Sequence, residues 1–263
     1  MASHQEDRSA NQAPRASAFR LAAKIKRRMR RAPWLWAGPL LRYTYLLQPS
    51  AGIVVPELKM NFVPTPKVAN RSMKAAIASV VRPGYRGDPH LAGWRYRRVS
   101  ALRATGYFGF GFVRNPLDRL YSCYAQKIVY YGRVMNKPLV FWRYGGTFGA
   151  DMSFEDFVKA VAAIPDRIAD PHFRSQYRFL YRGREPVVDF IGRFESLERD
   201  WAVVRERFGL PVLPHYNRSP RGSYTSAYTP ELARIAADRY RKDIRLFGYD
   251  EEVAALARRW PIA

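Results

Sequence analysis

The feature that most restricts the fold is an order that recurs along the chain: a short apolar run, a turn, then an amphipathic helix. Lys59 to Val63 reads as a strand and Pro64 to Asn70 as a turn, after which Met73, Ala76, Ile77 and Val80 fall at i, i+3, i+4 and i+7. Tyr107 to Val113 alternates aromatic residues with Gly109 and Gly111, a buried strand with close backbone approaches. Asn115 and Pro116 turn the chain, and Leu117, Leu120, Tyr121, Tyr124, Ile128 and Tyr131 share one helical face. Pro186 to Phe194 is a third strand, leading to a helix with Leu197, Trp201, Val204 and Phe208 inward and Gly209 as its stop. Ser153 with Asp156 opens a further helix as a capping box, and Thr229 with Pro230 starts a long one running towards Phe247. This order predicts an α/β fold with a mostly parallel central sheet flanked by helices, whose ligands bind at the carboxyl ends of the strands.

The three segments differ in composition. Residues 1–33 hold nine Lys and Arg against two Asp and Glu and read as a basic flexible arm; 34–57 form an apolar, aromatic connection, and 58–263 a single domain. Trp34, Trp36, Leu40, Leu41, Tyr43 and Tyr45 are interrupted by Pro33, Pro39 and Arg42, too short and broken a run for a spanning helix of about 20 apolar residues. A basic arm followed by Trp-rich sequence suits the surface of an anionic membrane, or packing on its own domain. With no export signal, the expected location is the bacterial cytoplasm, with peripheral contact at the inner membrane. The single cysteine, Cys123, excludes an internal disulfide and a Cys-rich zinc site. The net charge of +23 lies mostly outside the arm and calls for an anionic partner: nucleic acid, acidic lipid, a phosphorylated cofactor or an acidic glycan.

Two strand-to-helix turns carry the chemistry. The first, Pro66-Lys67-Val68-Ala69-Asn70-Arg71-Ser72-Met73-Lys74, ends at a helix start, where unpaired N–H groups and the helix dipole favour phosphate or sulfate. The same run is compatible with a solvated basic helix start. It is not the G-x-x-x-x-G-K-[ST] loop of nucleoside triphosphatases. The second, Phe112-Val113-Arg114-Asn115-Pro116-Leu117-Asp118-Arg119-Leu120-Tyr121-Ser122, puts Arg114 at a strand end, either to hold an anion or to pair Asp118, and Ser122 two turns into the helix.

Together these turns resemble the cofactor signature of the carbohydrate sulfotransferases that use 3′-phosphoadenosine 5′-phosphosulfate (PAPS), the group containing Golgi heparan, dermatan and chondroitin sulfotransferases. Pro66, Lys67, Ala69, Ser72 and Lys74 match that group's first loop; Phe112, Val113, Arg114, Pro116, Arg119, Leu120, Ser122 and Tyr124 match its second. Asp170-Pro171-His172-Phe173 with Gln176, Gly192 to Trp201, His215 to Ser219, and Tyr240 with Asp243 and Phe247 to Tyr249 agree in order. Arg71 departs from the pattern, standing where a Thr is usual.

The resemblance implies a P-loop NTPase-like sulfotransferase fold and PAPS as sulfuryl donor. Lys67 would neutralise charge on the leaving phosphate; the backbone of Ala69, Asn70, Arg71, Ser72 and Met73, with Lys74, would hold the 5′-phosphate; Arg114 and Ser122 would hold the 3′-phosphate. Ser219, Arg221, Gly222 and Tyr224 would close over the nucleotide. His90, between the two loops, would be the general base, an imidazole suiting that task; a surface loop histidine is the alternative. His172 and Gln176 would position the acceptor, a carbohydrate or glycolipid that the excess positive charge suggests is acidic. Trp94, Trp142 and Tyr144 suit either sugar stacking or a core. Glu195 and Asp200 read as structural, and no metal-ligand spacing appears. Two competing expectations are a nucleic-acid-binding basic protein, which lacks any recognisable finger or RNP signature here, and a catalytically silent relative that binds adenosine 3′,5′-bisphosphate (PAP).

Overall fold

In a computed structural model of the protein, residues 51–136, 147–214 and 223–258 are described. Five strands form one sheet: β1 (Ala51–Val55), β2 (Met60–Val63), β3 (Arg95–Arg98), β4 (Phe108–Val113) and β7 (Phe190–Arg193), in the order β3-β1-β2-β4-β7. The pairs β2/β4 and β4/β7 are parallel, whereas β1 runs antiparallel to both its neighbours. Four strands therefore point one way and β1 alone is reversed, which makes the sheet mixed. A two-stranded hairpin, β5 (Tyr181–Arg182) with β6 (Glu185–Pro186), stands apart.

The period-2 alternation of the strands sends their side chains to two cores. Ile53, Val55, Met60, Phe62, Phe110 and Phe112 face one way, and there meet Met73, Ala76 and Ile77 of α1 (Asn70–Val81) and Trp201 and Val204 of α5 (Leu197–Phe208). Val54, Val63 and Val113 face the other way. That side is covered by α2 (Pro116–Tyr124), α3 (Phe154–Ala163), α7 (Pro230–Arg239), α8 (Arg241–Phe247) and α9 (Asp250–Arg258). Two shorter helices, α4 (Tyr177–Leu180) and α6 (Ser223–Ala227), complete the layer. Gly111 leaves room that only hydrogen fills: a Cβ there would lie 2.4 Å from Leu180 Cδ2 and 3.2 Å from the Val63 carbonyl.

Local signals hold at several boundaries. The Ser153 hydroxyl accepts the Asp156 N–H at the start of α3, Thr229 caps α7, and Gly209 ends α5 with φ of 62°. Two expectations need correction, and one strand was not foreseen. Strand β1 falls inside the segment 34–57 read as a connection, so the sheet begins before residue 58. Strand β3, Arg-Tyr-Arg-Arg, escapes a hydrophobicity argument because it is an edge strand whose four residues are all exposed. The helix expected from Thr229 to Phe247 is broken at Tyr240, whose hydroxyl donates to the Phe173 carbonyl (2.7 Å). The break swings Asp243 inward to accept the N–H groups of Gln176 and Tyr177 at 2.6 and 2.9 Å. The helical face from Leu117 to Tyr131 is continuous, but beyond α2 it widens to π-type geometry over Ala125–Val134.

Candidate active site

The site is built at the carboxyl ends of β2 and β4. After Val63 the chain passes through Lys67 (φ 72°) and Ala69 (φ 47°), both left-handed without being glycine, and enters α1. Such conformations cost about 1 kcal/mol each and aim successive amides into one concavity. Ala69 stands at the N-cap with no side chain that can satisfy the first turn. Ser72 and Lys74 of that turn are buried, whereas Arg71 is exposed.

Arg114 joins the two turns. One arm of its guanidinium donates to the Lys67 carbonyl (3.3 Å), while its Nε and Nη2 grip the Asp118 carboxylate at 2.8 and 2.7 Å. The group stacks on Phe194, 4.3 Å from the ring centre. Both sequence alternatives for Arg114 thus meet in one geometry: it pairs Asp118 and lies against the first loop. Ser122 is buried on α2, and Tyr224 lies where the charges of Asp118 and Arg114 act on it. Burial, followed by the nearby carboxylates, raises the Tyr224 phenol.

Arg119, 1% exposed, is the rivet behind the site. It donates to the carbonyls of Pro66 (2.9 Å), Pro171 (2.9 Å) and Arg174 (2.8 Å). Since Pro66 precedes Lys67 and Pro171 precedes His172, one buried guanidinium fixes both residues' backbones beside each other.

Electrostatics set the character of the cleft. Lys67 donates to Gln126 Oε1 (3.0 Å), and its ammonium is brought down to about 8, first by burial and then by the charges of Arg114, Lys127 and Arg119, with Cys123 acting in the opposite sense. Several cations sharing so small a volume favour a polyanionic guest. Burial pushes the Cys123 thiol up to about 12, so it is a neutral filler of the wall rather than a nucleophile. Lys74 reaches His90 Nδ1 (3.3 Å) and the Tyr96 hydroxyl (3.2 Å), and burial lowers its pKa. Burial and then Lys74 lower that of His90.

The residues drawn from the sequence fare differently. Lys67 and Arg114 meet where the two turns adjoin, Ala69 to Lys74 lead from the first turn into α1, and Ser122 is buried on α2. His172 joins them from the loop before α4, and its Nδ1 lies 2.7 Å from Asp170 Oδ1. Gln176 does not reach the cleft: it is 0% exposed and its amide clamps the backbone of Arg114, accepting from N–H (2.9 Å) and donating to C=O (2.8 Å). This position argues against the expected acceptor role of Gln176, because a side chain with no exposed surface and both amide ends bonded to backbone has no access to a ligand. Ser219, Arg221, Gly222, Trp142 and Tyr144 lie outside the described residues. Glu195 and Asp200 are structural: Glu195 accepts from Asn115 N–H and Tyr249 hydroxyl, and Asp200 from Arg193 N–H. Sequence reading gave no role to Asp170, Gln126 and Lys127. An Asp two residues before His is the spacing of an Asx turn, and Gln126 follows Ser122 by one turn, so both carried a usable signal.

A sheet whose parallel strands end in two joined, cation-lined turns, each opening a helix, defines a P-loop-like α/β protein. The chain belongs to the sulfotransferase family, whose model matches residues 51–250. Among its relatives is carbohydrate sulfotransferase 10 of Xenopus laevis, 27% identical over 195 residues that cover 63% of this chain and 53% of the relative. Carbohydrate sulfotransferase 14 of Danio rerio is 29% identical over 170 residues, covering 56% of this chain and 45% of the relative. An uncharacterised protein of Archaeoglobus fulgidus is 33% identical over 122 residues, covering 46% of this chain and 84% of the relative. The chain thus spans about half the length of these two carbohydrate sulfotransferases. No solved structure matches significantly. No helix among the described residues is long and apolar enough to cross a membrane.

Proposed function

We propose that the protein transfers a sulfuryl group from PAPS to a hydroxyl of a carbohydrate acceptor. The observation that supports the reading is the bond from Arg114 to the Lys67 carbonyl, which joins the two turns side by side. The residues present suit such a donor: an uncapped helix start, a buried hydroxyl at Ser122, and a lysine whose proton is held loosely until negative charge arrives.

When bound, PAPS supplies a sulfuryl group activated for in-line displacement by its phosphate leaving group. The amides of Asn70 to Met73, with Ser72 and Lys74, hold the 5′ end. Arg114 and Ser122 hold the 3′-phosphate, Arg114 through the edge of its guanidinium that faces the first turn. Tyr224, at the end of the segment 219–224, shields the nucleotide side. Lys67 neutralises charge on the departing oxygen, a charge-stabilising role of the kind that dominates group transfer in dry clefts. The acceptor approaches over Lys74, Tyr96 and His90, beside the exposed Arg95, Arg97 and Arg98 of β3, and this suits an acidic glycan.

Calorimetry with PAP tests the reading. Wild type should bind in the micromolar range at low salt, with Arg114→Ala and Ser122→Ala each weakening binding tenfold or more. Absence of binding by wild type refutes it. Binding without transfer to any glycan would instead leave a silent PAP-binding relative.

A further inference from the structure

The connection from α1 to β3, taken with β3 itself, spans residues 82–98 and holds five arginines against one acid, Asp88. Arg86, Arg95, Arg97 and Arg98 are exposed, and none of the four meets a carboxylate among the described residues. Asp88 is engaged within its own turn, where its Oδ1 accepts the His90 N–H at 3.0 Å. Apolar side chains stand among these cations. Leu91 is 76% exposed, more than any other large hydrophobic residue among those described, and Tyr85 and Tyr96 are exposed as well.

Hydrogen bonds fix the shape of this segment. Arg82 Nε and Nη2 donate to the Ala92 and Gly93 carbonyls at 2.7 and 3.2 Å, the Trp94 indole donates to the Pro89 carbonyl (2.7 Å), and the Tyr85 hydroxyl to that of Asp88 (2.9 Å). Pro89 and Ala92 are buried, so the turn Pro89–Leu91 sends Leu91 outward. His90 and Tyr96 both meet Lys74, so the turn and β3 lie side by side at the mouth of the cleft. Along one edge β3 pairs with β1, and among the described residues no strand covers the other.

We propose that this face docks the protein on an anionic lipid bilayer. Cations alone suit an acidic glycan as well as lipid phosphates, and the apolar side chains separate the two. A hydrated glycan gains little from a leucine held out on a fixed turn. A bilayer takes Leu91 below its headgroups and keeps Tyr85 and Tyr96 at the polar boundary, where an aromatic ring with a hydroxyl is at home. The arginines then meet lipid phosphates while their stems lie along the apolar layer, each contributing about fivefold in affinity at an anionic surface. One leucine and two tyrosines make a reversible contact rather than an anchor. Docking turns the His90 side of the cleft to the headgroups; that the acceptor enters there rests on the proposed function.

The test sediments the full chain with vesicles of phosphatidylcholine alone and of an equimolar mixture of phosphatidylcholine and phosphatidylglycerol. Wild type should bind the mixed vesicles and not the neutral ones, and less as salt rises. Leu91→Asp should bind about tenfold more weakly or worse, and the double variant Arg86→Gln/Arg98→Gln about 25-fold more weakly, each with an unchanged circular dichroism spectrum. Leu91→Cys accepts an environment-sensitive dye selectively, because the natural Cys123 is buried, and its emission should shift to the blue on the mixed vesicles. Wild-type affinity in Leu91→Asp overturns the proposal. So does a dye that stays in water while the protein is bound, for then another basic stretch, such as residues 1–33, makes the contact. Failure of wild type to bind the mixed vesicles also overturns it, and retention on immobilised chondroitin sulfate in that case assigns the face to a glycan. None of these measurements uses PAP, so a chain that docks without binding PAP loses the functional reading alone.

Discussion

Lys67 offers a direct test of why the cleft demands negative charge. In the free protein its ammonium loses its proton near pH 8, because burial and three neighbouring cations disfavour the charge. A bound bisphosphate reverses that balance and returns Lys67 to its ordinary behaviour near 10.5, so binding and protonation are coupled. The sign follows: the folded, empty site binds fewer protons than the filled one between pH 8 and 10.5, and affinity falls as pH rises through that window. PAP should bind about 25-fold more weakly at pH 9.5 than at pH 7.5, approaching one decade per pH unit at the upper end. At pH 8, binding should take up about half a proton per site. Calorimetry in buffers of differing ionisation enthalpy reads both quantities. Burial also lowers Lys74, so Lys67→Met is the discriminating variant. It should bind PAP more weakly at pH 7.5 and lose most of the pH dependence. A wild-type Kd that is flat from pH 7.5 to 9.5, or a Lys67→Met protein with undiminished proton uptake, would refute the electrostatic argument.

Other predictions concern the frame behind the cleft. Arg119→Met leaves the Pro66, Pro171 and Arg174 carbonyls without their shared donor and should cost about 3 kcal/mol in chemical denaturation, with PAP binding lost alongside. Gln176→Leu removes both bonds to the Arg114 backbone. It should lower stability by about 2 kcal/mol and weaken PAP binding without a specific change in acceptor KM, the opposite of what an acceptor-contacting residue would show. Gly111→Ala drives a methyl into Leu180 and the Val63 carbonyl and should cost about 1–3 kcal/mol, read as a lower denaturation midpoint.

Much of the fold was legible because its signals are local. The spacing of Met73, Ala76 and Ile77, the caps at Ser153 and Thr229, the stop at Gly209 and the Gly109/Gly111 alternation each depend on neighbours a few residues away. The two strand-to-helix turns were legible for the same reason, since each is one contiguous stretch. Elements without a local hydrophobic signature were missed: β3 is a polar edge, and the end of α7 is dictated by a bond from Tyr240 to Phe173, 67 residues away.

The sequence by itself therefore determined most element types and the residues that each turn carries. Only the tertiary structure decided which side chains share a cleft. Gln176 moved from the ligand to the core because its partner is the backbone of Arg114, 62 residues distant. His172 came to stand beside Lys67 because Arg119 spans 53 and 52 residues to hold Pro66 and Pro171. Hydrogen bonds across such separations depend on how sheet and helices pack, and no periodicity along the chain encodes them.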